Sequence, residues 1–227
     1  MFSATWPREV RKLAADYLNH PVHIQIGSHE ATANKDITQE VFICRGQRDK
    51  QEKLREILCQ CQREDRVIIF VNTKRMCDQL AQDLYHDRIS AVTIHGDREQ
   101  RERDQALHAF KQGRSPFLIA TDVAARGLDI KGVQLVVNFD AALSCEDHIH
   151  RIGRTGRAGV PGTAMTFLDG MKEAKMARDI MSTMEKVGQP VPNELRDLAR
   201  NAGGGGGRSG RPYGKGGGKG GGKGGGK

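Results

Sequence analysis

Val67-Ile68-Ile69-Phe70-Val71-Asn72-Thr73 is the stretch on which the fold turns. Five consecutive apolar residues, four of them β-branched, leave no polar side for solvent, which suits a strand buried on both faces. Asn72 or Thr73 then offers a side-chain oxygen to the first N–H groups of a helix whose apolar positions, Met76, Leu80, Ala81 and Leu84, recur at helical spacing. A doubly buried strand that feeds an amphipathic helix is half of a parallel crossover unit.

The same alternation continues on both sides. Upstream, 38–44 reads as a strand and 49–62 as a helix with Leu54, Ile57, Leu58 and Cys61 on one face. Downstream, strands at 91–94, 117–120, 133–139 and 164–167 alternate with helices at 98–111 and 146–152, and helices near 170–187 and 193–200 close the fold. Repeated right-handed βαβ units give an α/β fold with a mostly parallel sheet sandwiched by helices. Ligands of such sheets bind at the carboxyl ends of the strands, so the loops at 71–74, 95–98, 120–127 and 139–148 matter most.

Both ends fall outside this pattern. Residues 8–19 carry Val10, Leu13, Ala14, Tyr17 and Leu18 at helical spacing, and Val22, Ile24 and Ile26 alternate like a strand. These elements lack enough partners for a core and read as the edge of another domain, exposing Trp6, Val10, Leu13 and Ile24 unless they dock. Residues 28–36 have no apolar pattern and form a linker. Residues 201–227 hold 16 of the chain's 28 glycines and end in three Gly-Gly-Gly-Lys units, too biased for a packed core, so this tail is expected to be disordered. Of the net charge of +8, the tail's Arg208, Arg211, Lys215, Lys219, Lys223 and Lys227 contribute +6, leaving +2 for the rest. Nucleic-acid affinity in the folded part therefore rests on local patches.

Other classes are set aside on composition. The apolar runs are too short for a membrane helix and no signal-peptide pattern follows Met1, so a nuclear or cytoplasmic, membrane-free protein is expected, and separately a monomer. The five cysteines are scattered, without a Cys-x-x-Cys pair, and read as small buried thiols rather than a disulfide or metal framework. Neither Gly-x-x-x-x-Gly-Lys-Ser/Thr nor His-Glu-x-x-His nor Gly-x-Ser-x-Gly occurs.

Three stretches can carry chemistry. In His150-Arg151-Ile152-Gly153-Arg154-Thr155-Gly156-Arg157-Ala158-Gly159, arginines recur every three residues among glycines. Guanidinium forks suit phosphate oxygens, although a solvated basic turn has the same composition. Thr121-Asp122 and Arg126-Gly127-Leu128-Asp129 follow the strand at 117–120. A carboxylate there either accepts hydrogen bonds from ribose hydroxyls or, at Asp122, caps the next helix. His95-Gly96-Asp97-Arg98, with Gln100 and Arg103 beyond, sits at another strand end, where an amide and an arginine on one helix face suit a sugar–phosphate backbone. Glu99, Glu102 and Asp104 fit equally well a charged surface helix laced by ion pairs.

In order, these stretches resemble the motifs of a DEAD-box ATP-dependent RNA helicase, from its motif III onward. Ser3-Ala4-Thr5 is similar to motif III, Val67 to Lys74 to motif IV, Gln100-Arg101-Glu102-Arg103 to the Gln-x-x-Arg motif, Thr121 to Ile130 to motif V, and His150 to Arg157 to motif VI. The resemblance implies a RecA-like sheet, with 1–27 the end of a first RecA-like domain, 28–36 the linker, 37–200 the helicase C-terminal domain and 201–227 the tail. It implies that Arg154 and Arg157 meet the γ-phosphate of ATP and that Asp129, with Gly127, lies at the nucleotide. It further implies that Gln100, Arg103, Thr121, Arg126 and Gly96 hold RNA, and that Ser3, Thr5, His150 and Arg151 couple the two domains.

The implied ligands are ATP with Mg²⁺, the metal held by the first domain, and RNA contacted through its backbone. The phosphate loop and the DEAD box are absent from these residues. The expectation is therefore the C-terminal half of an RNA-dependent ATPase, inactive alone. The rival expectation is a non-enzymatic RNA-binding module, and a DNA helicase of the same superfamily resembles the motifs less closely.

Overall fold

The apolar runs find one another along parallel registers. The structure, a computed structural model, describes residues 8–22, 24, 32–62, 64–125, 128 and 130–201. Its elements are α1 (Arg8–Tyr17), β1 (Ile37–Cys44), α2 (Gln47–Gln60), β2 (Val67–Phe70), α3 (Lys74–His86), β3 (Ala91–Ile94) and α4 (Gln100–Lys111). They continue with β4 (Phe117–Ala120), α5 (Asp122–Ala125), β5 (Leu135–Asn138), α6 (Cys145–Ile152), β6 (Gly162–Asp169), α7 (Ala174–Lys186) and α8 (Asn193–Asn201). The six strands form one sheet in the order β1-β6-β5-β2-β4-β3, and every pairing is parallel.

Strand alternation sorts the side chains onto two faces. Val67, Ile69, Ile119 and Val137 pack with Leu54 and Leu58 of α2 and Leu80 and Leu84 of α3. Ile68, Phe70, Leu118 and Val136 point the other way, onto Phe110 of α4, Ala124 of α5 and Ile152 of α6. Leu168, Val41 and Ile43 complete that second face against Met176, Ile180 and Met184 of α7 and Leu195 and Leu198 of α8. Both faces of β2 are thus dry, as its unbroken apolar run requires.

Several boundaries differ from the sequence reading, each for a local reason. The strand expected at 164–167 extends to Gly162–Asp169 because it pairs residue for residue with all of β1, from Ile37↔Gly162 to Cys44↔Asp169. The helix expected from 170 begins at Ala174, since Asp169 first turns the chain by accepting from the backbone N–H of Met171 at 2.9 Å. The helix expected from 98 begins at Gln100, where Glu102 Oε2 accepts the Glu99 N–H at 3.0 Å. Thr73, not Asn72, caps α3, accepting from Met76 N–H at 3.1 Å.

At the amino end, α1 forms but, among its described side chains, buries only Ala14, leaving Leu13 and Tyr17 exposed. Val22 and Ile24 are exposed and not in a strand; His23, Gln25 and Ile26 lie outside the described residues, as do Trp6 and 202–227, whereas Asn201, expected to begin the tail, ends α8. The expectation of buried thiols holds for Cys44 and Cys77, whereas Cys59 is exposed at the end of α2. No helix among the described residues is long and apolar enough to cross a membrane.

Candidate functional site

Strand order brings the carboxyl ends of β5, β2 and β4 side by side, and Arg151 of α6 reaches into all three. Its Nε and Nη2 donate to both carboxylate oxygens of Asp122, each at 2.6 Å. Nη1 donates to the Asp140 carbonyl at 2.7 Å, and Nη2 also donates to Asn72 Oδ1 at 2.7 Å. The guanidinium carbon lies 5.3 Å from the centroid of the Phe70 ring, and the residue is 1% exposed. Such a bidentate, charge-assisted arrangement satisfies a buried cation about as fully as side chains allow.

This geometry bears on two expectations. Arg151, expected at the interface with another domain, is held within this one by Asp122, Asn72 and the Asp140 carbonyl. Asp122, read as either a ribose acceptor or a helix cap, has both carboxylate oxygens accepting from Arg151. Asn72 likewise joins the sheet edge, its N–H donating to Asp140 Oδ2 and its Nδ2 to the Ala141 carbonyl, both at 2.9 Å.

Three residues on, the chain leaves the carboxyl edge. Arg154 is half-buried and donates from Nη1 to the Leu128 carbonyl at 3.1 Å. Phe70, Asp122, Ala125, Asp147, His150 and Arg154 line a narrow cleft over Arg151. Thr155 is buried and donates to the Val133 carbonyl at 2.6 Å, just before β5 begins. Gly156, at φ +62°, presses against Ile37 at the start of β1, and its carbonyl accepts from Asn34 Nδ2 at 2.6 Å. Arg157 is exposed, with Nε donating to the Gly153 carbonyl at 2.7 Å. The three arginines therefore run from the carboxyl edge of the sheet toward its amino edge. The strand-end rule placed the anchor of this series and Arg154, which shares its cleft, but not Arg157.

The second candidate group gathers at the ends of β3 and β4. The Thr121 N–H donates to the Ile94 carbonyl at 3.3 Å, which sets Thr121 beside His95 and Gly96. A Cβ at Gly96 would meet nothing within 4 Å, so the backbone there is open to approach. In the first turn of α4, Arg103 Nη1 donates to Gln100 Oε1 at 3.2 Å. The ion-pair lacing read as the alternative is also present. Arg98 bonds Asp78 at 3.2 Å and Glu102 at 3.4 Å, His95 bonds Asp78 at 3.1 Å, and Lys74 bonds Asp97 at 2.6 Å. That Lys74 ammonium holds the Asp97 carboxyl below its usual range. The charges thus fix the loop, and Gly96, Gln100 and Thr121 fringe it.

Ser3, Thr5, Arg126, Gly127 and Asp129 lie outside the described residues. Among the described residues no three His, Cys, Asp or Glu side chains cluster as a metal site. Sequence reasoning missed Asn72, Asp140 and Phe70 as partners of Arg151. Their separations along the chain, 79 residues for Asn72, hide a contact that only the strand order creates.

Residues 49–159 match the helicase conserved C-terminal domain family. The chain is 48% identical over 206 residues to DEAD-box ATP-dependent RNA helicase 46 of Arabidopsis thaliana, covering 90% of this chain and 32% of that protein. It is similar to Saccharomyces cerevisiae Dbp5 bound to RNA and ADP BeF3, at a TM-score of 0.71 and 30% identity, covering 88% of this chain and 53% of that one. It is also similar to the C-terminal domain of the DEAD-box protein Dbp5, at a TM-score of 0.60 and 31% identity, covering 74% of this chain and 97% of that one. The chain spans 19 to 41% of the length of such curated relatives.

Proposed function

This chain belongs to the DEAD-box helicase family, and from that premise we propose that it is the C-terminal RecA-like part of an ATP-dependent RNA helicase that couples ATP hydrolysis to RNA duplex unwinding or RNP remodelling. The observation that carries the reading is the graded fate of the three arginines. Arg151 is consumed as a buried anchor, and Arg154 and Arg157 are delivered progressively toward solvent on the loop it fixes.

In this reading Arg154 and Arg157 meet the γ-phosphate of ATP, with Gly127 and Asp129 at the sugar. An exposed, permanently charged fork on a glycine-hinged loop suits an anion that arrives from outside the domain. His150, lining the cleft beside Arg154, faces the first RecA-like domain. We assign Mg²⁺ to that domain, as the helicase resemblance implies. Gly96, Gln100, Arg103, Thr121 and Arg126 hold the RNA backbone, which makes recognition indifferent to sequence. Arginines that stabilise a transferring phosphoryl group act only on a nucleotide already cradled by a phosphate loop. The chain alone is therefore expected to bind RNA without turning over ATP.

The test is Arg157→Ala in a protein that joins this chain to its nucleotide-cradling domain. RNA-stimulated ATPase should fall by about 10³-fold or more, with an unchanged circular dichroism spectrum. Turnover within a few-fold of wild type would overturn the assignment.

A further inference from the structure

Helix α4 has a polar stripe that the candidate site does not use. Arg101, Asp104, Gln105 and His108, with Ala109 and Arg114, line a groove of about 600 Å³ on its outer side. Their three- and four-residue spacing puts the helical members on one face. Arg114 lies just beyond α4 and folds back, its backbone N–H donating to the Ala109 carbonyl at 3.0 Å. Its Nη2 donates to His108 Nδ1 at 2.7 Å. A guanidinium can only donate, so His108 accepts on Nδ1 and presents its other ring nitrogen as a donor.

Three features make this groove more than a solvated face. Arg101 makes no hydrogen bond or ion pair among the described residues, so its fork is uncommitted. The one carboxylate in the groove, Asp104, already accepts from Gln100 Nε2 at 2.8 Å. Gln100 in turn accepts from Arg103, so the groove begins at the very side chains proposed above to hold RNA. Arg101 and the Arg114–His108 pair are seven residues apart along the helix, about 10 Å, which gives room for two phosphates of one strand.

We propose that this groove is a second phosphodiester-binding site that extends the RNA path beyond Gln100 and Arg103. It rests on the RNA-binding reading above. Its contacts are guanidinium to phosphate, so it adds length and salt dependence to binding without reading bases. Continuity with Gln100 favours a nucleic-acid strand over an acidic peptide, which the same charges would also attract.

The test measures anisotropy of fluorescein-labelled oligo(U) of about 6 and about 12 nucleotides with the whole chain across a salt series, the tail being common to all variants. R101E/R114E should weaken the longer RNA by about 10-fold and lower its salt slope by up to about 2, leaving the shorter RNA nearly unchanged. R101K/R114K should retain affinity, separating charge from fold, with melting temperature as a further control. Gln100→Ala with Arg103→Ala should weaken both lengths. If that pair weakens binding while R101E/R114E does not, the groove is overturned and the RNA reading stands; if neither changes binding, both fall. Equal competition by a poly-glutamate peptide at matched charge would also overturn the strand assignment.

Discussion

Arg151, Arg154 and Arg157 share a side chain and a three-residue stride, yet the fold puts each in a different medium. Arg151 sits in protein on all sides, and its positive charge is tolerable only because Asp122 returns two short hydrogen bonds to it. Asp122 keeps 24% of its side chain open to water, so the arginine is the more dependent partner. Removing the carboxylate in Asp122→Ala strands a buried cation. This is expected to cost about 3 kcal/mol, the low end for a broken buried pair because Asn72 and Asp140 continue to accept. Urea unfolding reads it directly, and a loss below about 1 kcal/mol would mean the pair adds little beyond its neighbours.

Elements were legible in the sequence wherever burial alone writes the pattern. β2, β4 and β5 are dry on both faces, so Val67–Phe70 and its neighbours announce themselves as unbroken apolar runs. Strand ends were less legible, because the length of β6 is set by its register against β1 and not by its own residues. The arginine stride was readable, but its hold on the sheet was not, since Thr155 and Gly156 grip residues at the starts of β5 and β1. Gly162 shows how tight that grip is. A Cβ there would fall 1.9 Å from Thr155 Oγ1 and 2.5 Å from the Gly156 nitrogen. Gly162→Ala must push the arginine loop off the sheet, for a loss of about 3 kcal/mol and a melting temperature lower by roughly 10 °C. Gly159 is the control: at φ +75° with nothing within 4 Å, its alanine variant carries backbone strain alone, about 1 kcal/mol. Equal melting temperatures for the two variants would refute the steric account.

At the scale of the whole molecule, the face carrying α6, α7 and α8 encloses polar groups as well as apolar ones. His148 of α6 is 1% exposed and shares a hydrogen bond of 3.2 Å with Gln39 of β1, while Thr183 of α7 reaches the same Gln39 oxygen at 3.5 Å. Burial first, and then the nearby Arg151 charge, push the His148 imidazole down from 6.5 to about 4. The folded domain therefore holds this ring neutral at a pH where the unfolded chain protonates it. Proton uptake by the unfolded state favours unfolding, so stability is complete above about pH 6.5, falls as pH drops toward about 4, and levels off below that. Between about pH 7 and about pH 5 this one group should remove about 2 kcal/mol, seen as a lower urea midpoint. His148→Gln preserves a hydrogen-bonding side chain and cannot titrate, so its pH profile should be flatter than wild type by that amount over the same interval. Titration of the His148 ring followed by NMR gives an independent reading, and an imidazole that protonates near pH 6.5 in the folded protein would remove the linkage altogether.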